Sequence, residues 1–110
     1  MEYFIQGITD FENEDYEQAL DNLTAAHVRL AGDPGINYAL SDVYLAMGDY
    51  SNAAYYGRLA AEADPENKWY HLQLADIHRR SGRSNAAIET LDNALTYHPR
   101  DLDILFMKAE

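Results

Sequence analysis

Cysteine is absent from this chain of 110 residues. That omission removes disulfides, thiolate zinc sites and thiol nucleophiles, and it leaves the compartment open because exported proteins can also lack cysteine. Basic residues are scarce too: eight against nineteen acids, a formal charge of −11. A field of that sign repels phosphate backbones and anionic bilayers, which argues against nucleic acid and membrane partners. Lysine occurs only at Lys68 and Lys108, and eleven Asp exceed eight Glu, so the surplus sits on short, strongly hydrated carboxylates. A generally acidic surface explains this; a salt-loving source is the other explanation. No stretch approaches the roughly 18 consecutive apolar residues of a membrane span, and the opening MEYFIQGITD lacks a basic-then-apolar leader. The chain as given reads as soluble, in the cytoplasm or, in a bacterial setting, the periplasm. Gly-rich phosphate loops, zinc motifs and nucleophile elbows are missing as well, so neither catalysis nor a cofactor is expected.

What is present is a repeat. Residues 34 to 65, PGINYALSDVYLAMGDYSNAAYYGRLAAEADP, read as two amphipathic helices joined by Gly48-Asp49 and closed by Asp64-Pro65. Ala53 recurs as Ala19 and Ala87, and Ala60 as Ala26 and Ala94, each at a spacing of 34 residues. A fixed period of this length marks stacked helical hairpins, and at 47% hydrophobic and 25% charged residues the composition is that of an ordinary folded domain.

The pattern predicts helices over about 2–12, 16–30, 35–47, 50–63, 67–80 and 83–97, with a seventh running from Leu102 to Glu110. Phe4, Ile5, Ile8 and Phe11 fall at helical spacing in the first, and Ala19, Leu20, Leu23, Ala26 and Leu30 on one stripe of the second. Pro65 and Pro99 are placed at the first turns of the helices that follow them, where a missing N–H costs nothing. Small residues twelve apart, Gly7 with Ala19, Ser41 with Ala53 and Ala75 with Ala87, are predicted to face each other where paired helices cross. Leu40, Tyr44, Leu74 and Leu91 fill the space around them. Ala60 belongs to the repeating stripe and Ala61 does not.

On these residues the chain resembles the tetratricopeptide repeat family. The second repeat carries Leu40, Ser41, Tyr44, Gly48, Tyr50, Ala53, Ala60 and Pro65, the third Leu74, Ala75, Gly82, Ala87, Leu91, Ala94 and Pro99, and the more divergent first Gly7, Phe11, Tyr16, Ala19, Leu23 and Ala26. Departures from the family pattern are Gln6, His78, Gly57 and the non-glycine Glu14 in the first turn. The resemblance implies an all-α, right-handed superhelical solenoid of antiparallel hairpins, with repeats at about 1–33, 34–67 and 68–101 and a partial or capping helix at 102–110.

The chemically suggestive side chains have plainer readings. His71 and His78 are seven apart on one helix, hence about 10.5 Å along its axis, too far for one ion. They also fall where the family places buried aromatics, so core histidine is the expectation and no metal site is predicted. His27 and His98, near helix ends, read as capping or solvated groups. Asp10, Glu12, Glu14, Asp15, Glu17 and Asp21 crowd the first hairpin without the central Gly of a calcium loop, which points to a solvated acidic face. Asn22-Leu23-Thr24 matches a glycosylation acceptor but lies mid-helix.

The resemblance further implies that the first helix of each hairpin lines a concave groove that holds peptides. Carried onto this chain, the lining is Phe4, Ile8 and Phe11, then Tyr38, Asp42 and Leu45, then Trp69, Leu72, Gln73, Asp76, Arg79 and Arg80. The subfamily that grips acidic chaperone C-termini uses Lys, Asn and Arg where Phe4, Ile8 and Ala39 stand here, so that specificity is not expected. The function implied is a protein-interaction scaffold with a peptide or protein partner. Two alternatives remain: an interior spacer of a longer array, and a helical-repeat reader of RNA, which the charge opposes. The apolar trailing helix, with Leu102, Ile104, Leu105, Phe106 and Met107, offers a surface for self-association.

Overall fold

A computed structural model describes residues 2 to 109. Its helices are α1 (Glu2–Glu12), α2 (Tyr16–Arg29), α3 (Pro34–Ala46), α4 (Tyr50–Ala63), α5 (Lys68–Arg80), α6 (Ser84–Tyr97) and α7 (Leu102–Ala109), and there is no strand among the described residues. Consecutive helices pack as antiparallel hairpins, α1 with α2, α3 with α4 and α5 with α6, stacked into a body of 37 × 24 × 19 Å.

The surplus of aspartate has a structural use. Asp15, Asp33 and Asp49 begin α2, α3 and α4 by accepting from Gln18 N at 3.3 Å, Ile36 N at 3.1 Å and Asn52 N at 3.2 Å. Asp101 does the same for α7 through Asp103 N and Ile104 N, and each such cap is worth roughly 0.5–2 kcal/mol. Arg83 precedes α6 and makes no side-chain cap. The hairpin turns share a left-handed residue at the repeat spacing: Glu14 at φ 62°, Gly48 at 78° and Gly82 at 80°. Glycine holds that conformation freely, whereas a residue with a Cβ is strained in it.

Two cores support the stack. One joins Ala19, Leu23 and Ala26 of α2 to Ile36, Ala39, Leu40 and Val43 of α3. The other joins Leu72 and Ala75 of α5 to Ala87, Leu91 and Ala94 of α6 and Ile104 of α7. Close crossings set the helix spacing: Ser41 Oγ donates to the Ala53 carbonyl at 2.7 Å, and a Cβ on Gly57 would stand 3.1 Å from that hydroxyl and 3.4 Å from Leu74 Cδ1.

Several expectations are corrected here. Pro65 and Pro99 lie in the loops ahead of α5 and α7, because Asn67 and Asp101 provide the helix starts; Pro34 is the proline in a first turn. Leu30 lies just past α2 and is 47% exposed. Gly7 approaches Leu23 rather than Ala19, since a Cβ there would lie 2.6 Å from Leu23 Cγ. Ala61 is as closed off as Ala60, at 5% and 1% exposure, because α4 is covered by α3 on one side and α5 on the other. Asp10 does not join the solvated acidic face of α1: it is buried and accepts from Gln6 Nε2 at 3.0 Å and Asn22 Nδ2 at 2.8 Å.

Candidate groove on the first helices

The hairpins fan apart. Among the first helices α1 touches α3 and α5 touches α7, whereas the second helices α4 and α6 stand off each other across a cleft. The inner curve is therefore made by α1, α3, α5 and α7, which is where the predicted lining residues fall.

The structure gathers only part of that lining. Phe4, Ile8 and Phe11 are half-buried against the first core, and Leu45 is also half-buried. Leu72 is 9% exposed and belongs to the second core, since α7 folds over it with Ile104 and Met107. Trp69, at 57% exposure, turns to the loop edge, where it lines a shallow cleft with Glu66, Lys68, His98 and Asp101. The Lys68 ammonium sits 4.7 Å from its ring centroid and bridges Asp101 at 2.8 Å and Asp103 at 3.0 Å. Arg79 and Arg80 each reach Asp76 at 3.0 Å, so these three residues form an ion-pair cluster at the end of α5.

What remains at the centre is Tyr38, Asp42 and Gln73, joined by Tyr70. The Tyr38 and Tyr70 rings approach to 5.0 Å between centroids at an inclination of 40°. Burial, then Asp42 and then Tyr70, push the Tyr38 hydroxyl pKa up; burial, with Asp64 and Asp33 nearby, does the same to Tyr70. Asp42 is raised to about 6, since burial disfavours its charge and the Gln73 carboxamide offsets this only partly. Gln73 Nε2 is itself buried and makes no hydrogen bond of good geometry, which marks its contact with Asp42 as weak. No ion pair among the described residues involves Asp42.

The histidines lie elsewhere. His71 is buried and donates from Nε2 to the Pro65 carbonyl at 2.7 Å; His78 is half-buried, and burial, then Arg83, lower its pKa. With Leu74 they floor a cleft of about 520 Å³ between α4 and α6. His27, read as a cap or solvated group, instead meets Tyr56 edge-on at 5.7 Å between the first and second hairpins. His98 donates to the Glu66 carbonyl. Among the described residues no three metal-binding side chains come together, and no helix is long and apolar enough to cross a membrane.

Two tetratricopeptide repeat models match the chain, at residues 6–68 and 44–110. The chain belongs to the tetratricopeptide repeat family, an all-α helical-repeat fold. No curated protein sequence matches it. Among solved structures, the first repeat domain of Spaghetti (RPAP3) bound to the HSP90 peptide SRMEEVD superposes with a TM-score of 0.83 at 13% identity, covering 97% of this chain and 87% of that one. MamA from Desulfovibrio magneticus RS-1 superposes at 0.83 and 20% identity, covering 91% of this chain and 56% of that one. The Yersinia enterocolitica type III secretion chaperone SycD, in complex with a peptide of the translocator YopD, gives 0.83 at 18% identity over 98% and 82%. At such identities these are likenesses of fold. The positions read as an acidic-tail clamp hold half-buried Phe4 and Ile8 and buried Ala39, none able to pair with a carboxylate.

Proposed function

We propose that this chain is a non-catalytic interaction module that holds a peptide or protein segment of a partner along the inner face of α1, α3 and α5. The observation that carries this reading is the group Tyr38, Tyr70, Asp42 and Gln73: aromatic and polar, half-buried, and poorly matched within the chain itself. Family membership supports it, as do the peptide complexes of the RPAP3 repeat domain and SycD. Such a short groove suits micromolar affinity. Selecting a random peptide library against the whole chain, then mapping amide shifts on binding, tests it; shifts on α3 and α5 are expected, and shifts confined to α2 and α6 would refute it.

A second reading has its own support. Leu102, Leu105 and Phe106 are exposed on α7 at 63%, 39% and 65%, an apolar face suited to stacking on another hairpin or on a second copy, as in an array spacer or a dimer. RNA binding has weak support, because Asp76 already neutralises Arg79 and Arg80 in a chain of net charge −11.

A further inference from the structure

We propose that the centre of the groove is a subsite for one cationic side chain, arginine or lysine, of the bound segment, seated against Asp42 and the faces of Tyr38 and Tyr70; this rests on the groove reading above.

The chemistry follows from what surrounds the carboxylate. Asp42 lies one helical turn from Tyr38 on α3 and faces Gln73 of α5, and the ordinary remedy for a desolvated carboxylate, an internal cation, is missing. Lys68 is bound to Asp101 and Asp103, and Arg79 and Arg80 are bound to Asp76. Gln73 supplies only a neutral dipole. Two further carboxylates, Asp33 and Asp64, act on the Tyr70 hydroxyl from the loops beside the ring pair, so the field at the aromatic pair is negative from several sides. Tyrosine faces attract cations through their quadrupole, most strongly where water is partly excluded, and a guanidinium or ammonium would replace the lost hydration of Asp42 with a charge-assisted hydrogen bond. An acidic side chain would meet three carboxylates. The Trp69 edge is a poorer candidate, since Lys68 already occupies that ring.

The test uses the whole chain and a set of nine-residue peptides, acetylated and amidated, with random flanks and arginine, lysine, citrulline, norleucine or glutamate at the centre. Affinity is read by fluorescence anisotropy, and Asp42 ionisation by its side-chain carboxyl ¹³C shift. Arginine or lysine peptides are expected to bind at least tenfold more tightly than citrulline or norleucine peptides at pH 7.5. Binding should pull the Asp42 titration to lower pH, and Asp42→Asn should erase the preference while the apolar part of the affinity survives. Peptides bound on α3 and α5 with no preference for charge, or with a preference for glutamate, would overturn the subsite and leave the groove standing. Should no peptide bind, the groove fails and the subsite with it.

Discussion

Tyr38 of α3 and Tyr70 of α5 meet at 5.0 Å, although they are 32 residues apart in a chain whose repeat is 34. The displacement arises because neighbouring first helices are not simple translations of each other: each hairpin is turned relative to the last, and helical side chains lean toward their own N-terminus. Asp42 meets Gln73 on the same basis, 31 residues on. The groove's centre is thus shared by two repeats and belongs to no single repeat position.

From this relationship it follows that Tyr70, not Trp69, reports on the groove. Replacing Trp69 by Phe should change peptide affinity by less than about twofold, while Tyr70→Ala should weaken it by tenfold or more, in keeping with the weight that buried aromatic contacts carry in interfaces. Anisotropy titrations of both variants check this, with circular dichroism to confirm that each is folded. A Trp69 variant that loses binding would return the site to the loop edge.

Asp42 also predicts a pH dependence of stability. Its folded pKa is raised to about 6 from 3.8, so between these values the folded chain holds a proton that the unfolded chain has released, and stability from this group falls as pH rises through that window. The penalty is complete above the folded value. Asp42→Asn should therefore be more stable than the parent at pH 7.5 by about 1 kcal/mol, a figure reduced because the carboxylate keeps partial contact with solvent, and equal to it at pH 3.5. Thermal melts of the pair across this range give the result directly; an advantage that grows on acidification would refute the assignment.

Much of the architecture was legible because local signals agreed with the repeat. Asp15, Asp33 and Asp49 cap helices one period apart, and the left-handed turn residues at 14, 48 and 82 keep the same phase. What was not legible depended on neighbours. Leu72 matches Tyr38 in register yet is core, because α7 covers it; Ala61 is buried although it lies off the alanine stripe. Asp10 stands where the next repeats have Tyr44 and His78, and only the nearby amides of Gln6 and Asn22 make its burial tolerable. Of the groove, Tyr38, Asp42 and Gln73 were placed by register, and Tyr70 was missed because register points past it.

The first turn offers a stability test independent of any ligand. Glu14 sits at φ 62°, in the place that Gly48 and Gly82 fill in the later repeats. Glu14→Gly should relieve a strain of about 1 kcal/mol, offset in part by the greater freedom of glycine in the unfolded chain, for a net gain near 0.5 kcal/mol. The same change within α1, at Thr9, should instead cost about 1 kcal/mol. Urea midpoints of the two variants should move in opposite directions.

The fate of Arg79 and Arg80 separates scaffold from ligand contact. Both guanidiniums lie in the last turn of α5, where a cation also complements the helix dipole, and both reach Asp76, whose side chain is 20% exposed. Reversing the two charges would place two new carboxylates beside Asp76 at the negative end of the helix. Arg79→Glu with Arg80→Glu should therefore destabilise the chain by roughly 1 kcal/mol, lowering the melting temperature by some 4–8 °C for a domain of this size. The double lysine variant should keep most of the stability, because charge rather than fork geometry does the work at these exposed positions. If the glutamate variant melts at the parent temperature but no longer binds groove peptides, the arginines contact the partner, and the part of the partner lying over the end of α5 would be acidic.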